Sequence, residues 1–427
     1  MTAHSSTGET CEQPEAPLLR RRLPRRRVGY TVVSSASGFA DVGEAYATAR
    51  RLGTKPDAGA WYVEWTKAAD RATAIAENAL AGGHRVTAAR AHLRASEYHR
   101  EAFFFLRGNL DNPRTKSGWA GHVASFAAAA PLLDVHAEQV RIPYDGTTLK
   151  GWTFAPDDST EPRPTVLMPA GYDSTAEFGW MFAPEALSRG YRVLSFEGPG
   201  QGEALYERCL YMRPDSEHVR TPVVDWLVAQ PGVDPSRLGL IGLSFAGYLA
   251  PRGVTVEHRI AALVVNPAQP DVGTRVPAGL AGRIAAPAVT ALTRVSEKKH
   301  EFFASRMATH GVDSIEQYFD VLKTFTMTDS IGDISCPTLI VDAANDLVSG
   351  NAGAQPFADA LRCPPSDRAP RRRLRCRRSL RGPRPAGGRR SHRRLAGRGA
   401  RALTTVVGGA PRPASDGVGV GESETVR

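Results

Sequence analysis

The chain has 427 residues and nowhere runs apolar for 18 residues, so no stretch of it predicts a membrane-spanning helix. Its first residues carry no apolar core behind their arginines, which speaks against a secretory leader. Cysteine is scarce. Cys11, Cys209, Cys336, Cys363 and Cys376 stand far apart and in odd number, with neither metal-ligand spacing nor a disulfide pattern. That usage suits a reducing cytoplasm, with no metal expected. No Gly-Lys-Ser/Thr follows a glycine-rich loop, so a phosphate loop lacks its lysine and hydroxyl.

What is abundant is arginine, and it is unevenly placed. The formal net charge of +10 would suit a nucleic-acid binder if it were spread over a folded surface. Six arginines, however, fall within Arg20–Arg27, and sixteen lie between Arg362 and Arg401, opposed only by Asp367. The remaining body is net acidic, so no nucleic acid is expected as its partner. Residues 1–35 are polar and aperiodic, which predicts disorder.

Periodicity begins near Gly43. Asp41–Leu52, Trp61–Leu80, Val86–Leu106 and Ser117–Leu133 place apolar residues at helical spacing, with Gly82 and Gly83 as punctuation. These predict an all-helical domain over 36–135, whose Trp61, Trp65, Tyr98, Phe103, Phe104 and Phe105 are read as core. From Glu138 the period becomes two: Glu138–Pro143 and Leu149–Ala155 alternate around Tyr144-Asp145-Gly146, a hairpin signal. Strands at Thr165–Met168, Arg192–Phe196, Leu238–Leu243, Ala261–Val265 and Thr338–Val341 then alternate with helices at Phe182–Ser188 and Thr221–Ala229. That order predicts an α/β fold over 136–363, a doubly wound, mostly parallel sheet. Residues 270–330 read as helices lying over the site.

The chemistry centres on Gly242-Leu-Ser-Phe-Ala-Gly247, where a buried strand turns into a helix. Small residues around one serine at such a turn are what a nucleophile elbow needs, here with Ala246 in place of the second glycine. The bland alternative is a glycine-rich strand–helix turn that merely packs. Two loops accompany it. Pro169-Ala-Gly-Tyr-Asp-Ser174 lies where an oxyanion loop belongs, so backbone N–H groups of Ala170–Tyr172 and of Phe245 are the candidate donors. Glu197-Gly-Pro-Gly-Gln-Gly-Glu203 follows the next strand. Beyond Val341, Asp346 stands where a triad acid orients a histidine, with Asp342 as the nearer alternative. The chain order Ser…Asp…His leaves only His392 downstream; His258, His300 and His310 precede it and read as surface or packing residues.

Residues from about 40 to 361 resemble the α/β-hydrolases with an N-terminal helical domain. This family includes FrsA-like proteins, 2,6-dihydroxypseudooxynicotine hydrolase and fungal polyketide-shortening hydrolases. The resemblance rests on Gly43-Glu-Ala, Trp61 to Trp65, Ala91-His-Leu-Arg-Ala-Ser-Glu-Tyr98, Gly171-Tyr-Asp-Ser174 and Glu197-Gly-Pro-Gly-Gln-Gly-Glu203. Val224-Asp-Trp-Leu227, Val233-Asp-Pro-Ser-Arg237 and the elbow complete it. It implies Ser244 as nucleophile, Asp346 as triad acid and Asp173 as an auxiliary carboxylate near the oxyanion loop. It also implies cleavage of an ester or a ketone-adjacent carbon–carbon bond of a small-molecule substrate without a cofactor. For the carbon–carbon reaction, a protonated Asp173 would serve the leaving carbanion. A homodimer is compatible with this reading.

The resemblance stops near Leu361, where the family supplies a last strand and a histidine. Residues 364–427 are instead a low-complexity Arg/Pro/Gly tract without lysine. Arg371–Ala386 can be back-translated so that the next frame reads Asp-Gly-Ala-Ser-Ala-Ala-Asp-Ala-His-Cys-Glu-Ala-Leu-Gly-Arg. Arg389–Gly399 likewise yields an Asp-Trp-Leu signature. A frameshift is therefore expected, with the lost histidine near position 379. If the printed frame holds, the alternative is a catalytically impaired homologue that binds or regulates.

Overall fold

The computed structural model describes residues 25–53, 56–341 and 353–362, all within one compact unit. Among them no helix is long and apolar enough to cross a membrane.

Among the described residues five α-helices precede the sheet: α1 (Arg25–Ser34), α2 (Val42–Leu52), α3 (Ala58–Ala81), α4 (Arg85–Ala102) and α5 (Pro113–Ala129). Their starts are written in the sequence. Asp41, Asp57 and Asn112 each accept a hydrogen bond from the first turn of α2, α3 and α5, and Pro113 occupies the first turn of α5. Along α3, Ala68, Ala69, Ala72, Ala76 and Ala79 form a buried small-residue face that lets α4 approach closely. Trp61, Trp65, Tyr98 and Phe103 are buried, as expected for core, whereas Phe104 and Phe105 are half-buried.

The expected disorder of residues 1–35 is corrected over Arg25–Ser34, which form α1. Val28, Thr31 and Ser34 recur every third residue and are buried. Arg27 is an interior side chain rather than part of a solvated run. Its Nε donates to Glu101 Oε2 at 2.7 Å, and its guanidinium carbon lies 3.4 Å from the centre of the Phe104 ring. The dense arginines hide this periodicity, because a paired arginine buries as well as an apolar residue.

Seven strands of the described residues form one sheet: β1 (His136–Tyr144), β2 (Thr147–Ala155), β3 (Arg163–Pro169), β4 (Arg192–Phe196), β5 (Val233–Leu243), β6 (Ile260–Asn266) and β7 (Thr338–Ile340). Their order is β1-β2-β4-β3-β5-β6-β7. β1 and β2 pair antiparallel through a turn in which Asp145 and Gly146 take φ of 43° and 72°, the left-handed pair that two-residue hairpins need. β2 is antiparallel to β4, and the remaining pairs are parallel. The connections are α6 (Ala183–Leu187), α7 (Gly202–Tyr206), α8 (Glu217–Val228) and α9 (Ala246–Val254). Between β6 and β7 come α10 (Gly279–Val295), α11 (Glu297–His310) and α12 (Ile315–Thr324); α13 (Ala354–Ala360) follows.

This topology decides where a ligand can sit. From β3 the chain first moves to β4 on one side and then crosses to β5 on the other. The loops leaving β3 and β5 therefore part in opposite directions and open a crevice at the carboxyl ends of those strands. Both candidate loops lie there.

Candidate active site

β5 delivers Ser244 at φ +57°, a left-handed conformation that costs a non-glycine residue roughly 1–3 kcal/mol and persists only where surroundings enforce it. The enforcement is visible. Ser244 N–H donates to the Asn266 carbonyl at 2.8 Å, and Gly247 N–H to the Ser244 carbonyl at 2.9 Å. Gln269 Nε2 also donates to that carbonyl. A Cβ at Gly242 would stand 2.3 Å from the Ala246 carbonyl oxygen, and one at Gly247 only 1.8 Å from that of Pro267. The steric need for glycine thus falls at 242 and 247, and the methyl of Ala246 packs fully buried. Ser244 itself is exposed, at the N-terminus of α9, where helix N–H groups and the dipole favour an anion.

The facing loop comes from β3. A Cβ on Gly171 would lie 3.1 Å from the Leu243 carbonyl, 3.6 Å from Ser244 Cβ and 3.8 Å from Phe245 N. Gly171 therefore lies against the serine and beside the first N–H after it. Ala170 is removed from the donor set, because its N–H already donates to the Phe196 carbonyl at 2.9 Å. The Gly171 N–H makes only a long 3.4 Å bond to Ser174 Oγ. The Tyr172 ring stands edge-on to Phe245 with centroids 4.6 Å apart, and its hydroxyl shares a hydrogen bond with His310 Nε2.

Asp173 is held from two sides. Arg107, just beyond α4, bonds its Oδ1 at 2.6 Å, and Arg306 of α11 bonds Oδ1 at 2.7 Å and Oδ2 at 3.1 Å. Burial pushes the carboxyl up, but the two guanidiniums outweigh it and hold Asp173 well below the usual carboxylate range. This corrects the expectation of a protonated Asp173: beside two arginines it carries no proton to give.

Arg306 and His310 are four residues apart on α11, so they share one face and grip the consecutive loop residues Asp173 and Tyr172. Arg306 also lies over the Tyr172 ring, 4.1 Å from its centroid. His310 is accordingly not a surface residue but packs among Tyr172, Tyr318 and Phe325. It is buried and hydrogen-bonded, and burial, aided by Arg306, lowers its pKa to about 4. His258 and His300 are exposed, as expected.

The loop after β4 is a brace. Gln201 Nε2 donates to the Ala170 carbonyl at 2.6 Å, and its Oε1 accepts from Gly198 N–H at 2.6 Å. Glu197 accepts from Ala176 N–H at 3.0 Å and Glu203 N–H at 2.8 Å. Burial pushes the Glu197 carboxyl up to about 8; Lys150 opposes the shift and Glu177 adds to it. Glu177 in turn pairs with Lys150 and accepts from Trp152 Nε1 at 3.2 Å. His122 of α5 reaches Thr175 Oγ1 at 2.9 Å, tying the helical region to the same segment.

Asp342, Asp346 and His392 lie outside the described residues, as do residues 363–427 and the cysteines among them. β7 runs parallel to β6 and Val341 N–H donates to the Val265 carbonyl at 2.9 Å, so the chain leaves β7 on the edge that carries the elbow. Sequence reasoning missed Arg107, Arg306, His310, Gln201 and Gln269. The one available signal was the four-residue spacing of Arg306 and His310 within a segment already expected to lie over the site.

A strained serine at a strand–helix turn on a mostly parallel sheet, faced by a loop from the adjacent strand, defines the α/β-hydrolase fold. The profile of the FrsA-like esterases matches residues 50–269, and that of the α/β-hydrolase family matches residues 165–374. The chain belongs to the FrsA-like family of α/β-hydrolases. It is 32% identical over 346 residues to the hydrolase LUC6 of Fusarium sp, covering 75% of this chain and 82% of that one. Identity and coverage are the same for the 20-hydroxy-prefusarin hydrolase FUS2 of Gibberella moniliformis. The crystal structure of 2,6-dihydroxy-pseudo-oxynicotine hydrolase shares the fold, with a TM-score of 0.63, 22% identity, and coverage of 77% of this chain and 85% of that one.

Proposed function

We propose that the protein is a serine hydrolase that cleaves an ester or a ketone-adjacent carbon–carbon bond of a small to medium aromatic or polyketide substrate. The observation that carries this reading is the exposed Ser244 at φ +57° with Gly171 packed against it. Ser244 Oγ attacks the carbonyl carbon while a histidine accepts its proton and Asp346 orients that histidine. The N–H groups of Phe245, Gly171 and Tyr172 receive the oxyanion, each donor contributing about 10²–10³ in rate. Collapse expels the leaving oxygen or carbon, which takes the histidine's proton, and water then releases the acyl group from Ser244. Ionised Asp173 acts by fixing the loop. The base is the histidine of the shifted frame near position 379, with His392 as its counterpart in the printed frame.

The test has two arms. Resequencing roughly codons 355 to 427 decides which histidine the chain carries, and the encoded protein is then assayed on aryl esters and β-diketones beside Ser244→Ala. A restored His-Cys-Glu with Ser244-dependent turnover is the expected result. Turnover equal in Ser244→Ala sinks the reading. An intact printed frame with no turnover favours the impaired, binding homologue, because loss of a triad member leaves only about 10³–10⁴-fold acceleration over water.

A further inference from the structure

One planar peptide unit joins the proposed nucleophile to the first proposed oxyanion donor: its carbonyl belongs to Ser244 and its N–H to Phe245. The two bonds point in opposite directions across that plane, so whatever grips the carbonyl also aims the N–H. Among the described residues the Phe245 N–H donates no backbone hydrogen bond. A Cβ on Gly171 would lie 3.8 Å from its nitrogen, so the two proposed donors stand side by side.

The carbonyl end, by contrast, is filled twice. Gly247 N–H donates to it at 2.9 Å, a bond that any helix start can make. Gln269 Nε2 donates to it from the loop after β6, 25 residues away in sequence, which uses the second lone pair. Gln269 is 4% exposed. Its own N–H donates to the Gly247 carbonyl at 3.2 Å, and Arg275 Nη2 donates to its Oε1 at 2.6 Å. A guanidinium can only donate, so Arg275 fixes which end of the Gln269 amide is oxygen and turns the NH₂ end toward Ser244. The order has an electrostatic sense as well. The Arg275 guanidinium, the Gln269 amide and the Ser244–Phe245 peptide are donors in series, each polarising the next. The series ends on the Phe245 N–H, where the hydrolase reading places the developing negative charge.

On the basis of that reading, we infer that Gln269 is a positioning residue for the reaction. Oriented by Arg275, it sets the plane of the Ser244–Phe245 peptide and with it the aim and donor strength of the Phe245 N–H. Being buried, it acts through that peptide and not on substrate. Its effect falls on the transition state, where the oxyanion forms, and leaves ground-state binding alone.

The variant that isolates this role is Gln269→Glu, which keeps the size and the bond to Arg275 but turns a carboxylate oxygen toward the Ser244 carbonyl. With the encoded full chain and p-nitrophenyl acetate, kcat should fall about 10- to 100-fold, less than for loss of a whole oxyanion donor. KM should stay within about twofold of wild type. The inhibition constant of phenylboronic acid, whose adduct on serine mimics the tetrahedral intermediate, should rise by the same factor as kcat falls. An unchanged kcat overturns the inference. So does a loss of Tm with full kcat in the folded fraction, which marks a packing role. If wild type itself shows no Ser244-dependent turnover, the hydrolase reading has failed, and crystal structures of wild type and variant decide the positioning separately. A Ser244–Phe245 peptide rotated in Gln269→Glu upholds it; a peptide superimposable on wild type overturns it. Should Gln269→Glu fail to fold, Gln269→Met, which removes donor and acceptor without adding charge, carries the same readouts.

Discussion

The two loops that meet at the crevice are fixed by different forces. The elbow after β5 is held by shape: glycines where a Cβ would strike a backbone oxygen, and backbone hydrogen bonds to Asn266 and within the turn. The loop after β3 is held by charge and side-chain hydrogen bonds, with Asp173 between Arg107 and Arg306 and Tyr172 on His310. Steric restraint is local and indifferent to pH. Ionic restraint draws residues from a helical region, a sheet and a covering helix into one point, and it responds to protonation. The geometry of the proposed nucleophile is thus hard-wired, whereas the proposed oxyanion geometry depends on the assembly around it.

The largest effect that would sharpen this contrast is chemical. Ser244→Ala should lower kcat by about 10⁴–10⁶ while leaving the urea midpoint nearly unchanged; a large stability loss instead would mean that the side chain, not the turn, holds the elbow. Next come paired stability losses. Gly247→Ala should cost about 3–4 kcal/mol from backbone overlap, with the same cost at pH 5 and pH 8. Asp173→Ala should cost about 2–3 kcal/mol by leaving two arginines facing each other, a loss eased by added salt because Asp173 is 29% exposed. Equal salt responses in both variants would erase the distinction.

A pH series tests the charged side further. His310 has a folded pKa near 4, below its ordinary 6.5. Its contribution is therefore complete above pH 6.5 and is lost as pH falls from 6.5 through 4. Denaturant unfolding should show about 3 kcal/mol of acid-side loss from this group, and His310→Gln should flatten that slope. A slope unchanged in His310→Gln would assign the loss to other residues. Smallest of all is Arg306→Lys, which keeps the charge but not the two-pronged grip or the stacking on Tyr172. About 1 kcal/mol of stability should go, and kcat should fall more than KM rises if the loop is what Arg306 positions.

Most of the fold was legible because its signals are local. Period-two runs around Tyr144-Asp145-Gly146, capping by Asp41, Asp57 and Asn112, and small residues at the elbow each need only neighbouring positions. Ser244, Phe245 and Gly171 could be singled out for the same reason. The partners of Asp173 could not, because Arg107 and Arg306 lie 66 and 133 residues from it in sequence. A surface arginine and a clamping one look alike in one dimension. The proton state of Asp173 was misjudged on that account. Helix α1 was missed because arginine concealed its buried face.

That last helix bears on where the chain can be cut. Polarity alone would put a trimming point at residue 36, and proteins are often shortened at such apparent boundaries. Here the cut would remove Arg27 from Glu101, which is wholly buried. Glu97 and Glu101 would then share a single guanidinium, Arg100, whose Nη1 also approaches the Asp173 carbonyl at 3.4 Å. A deletion made far upstream for convenience would thereby leave unbalanced charge two side chains away from the crevice that holds Ser244.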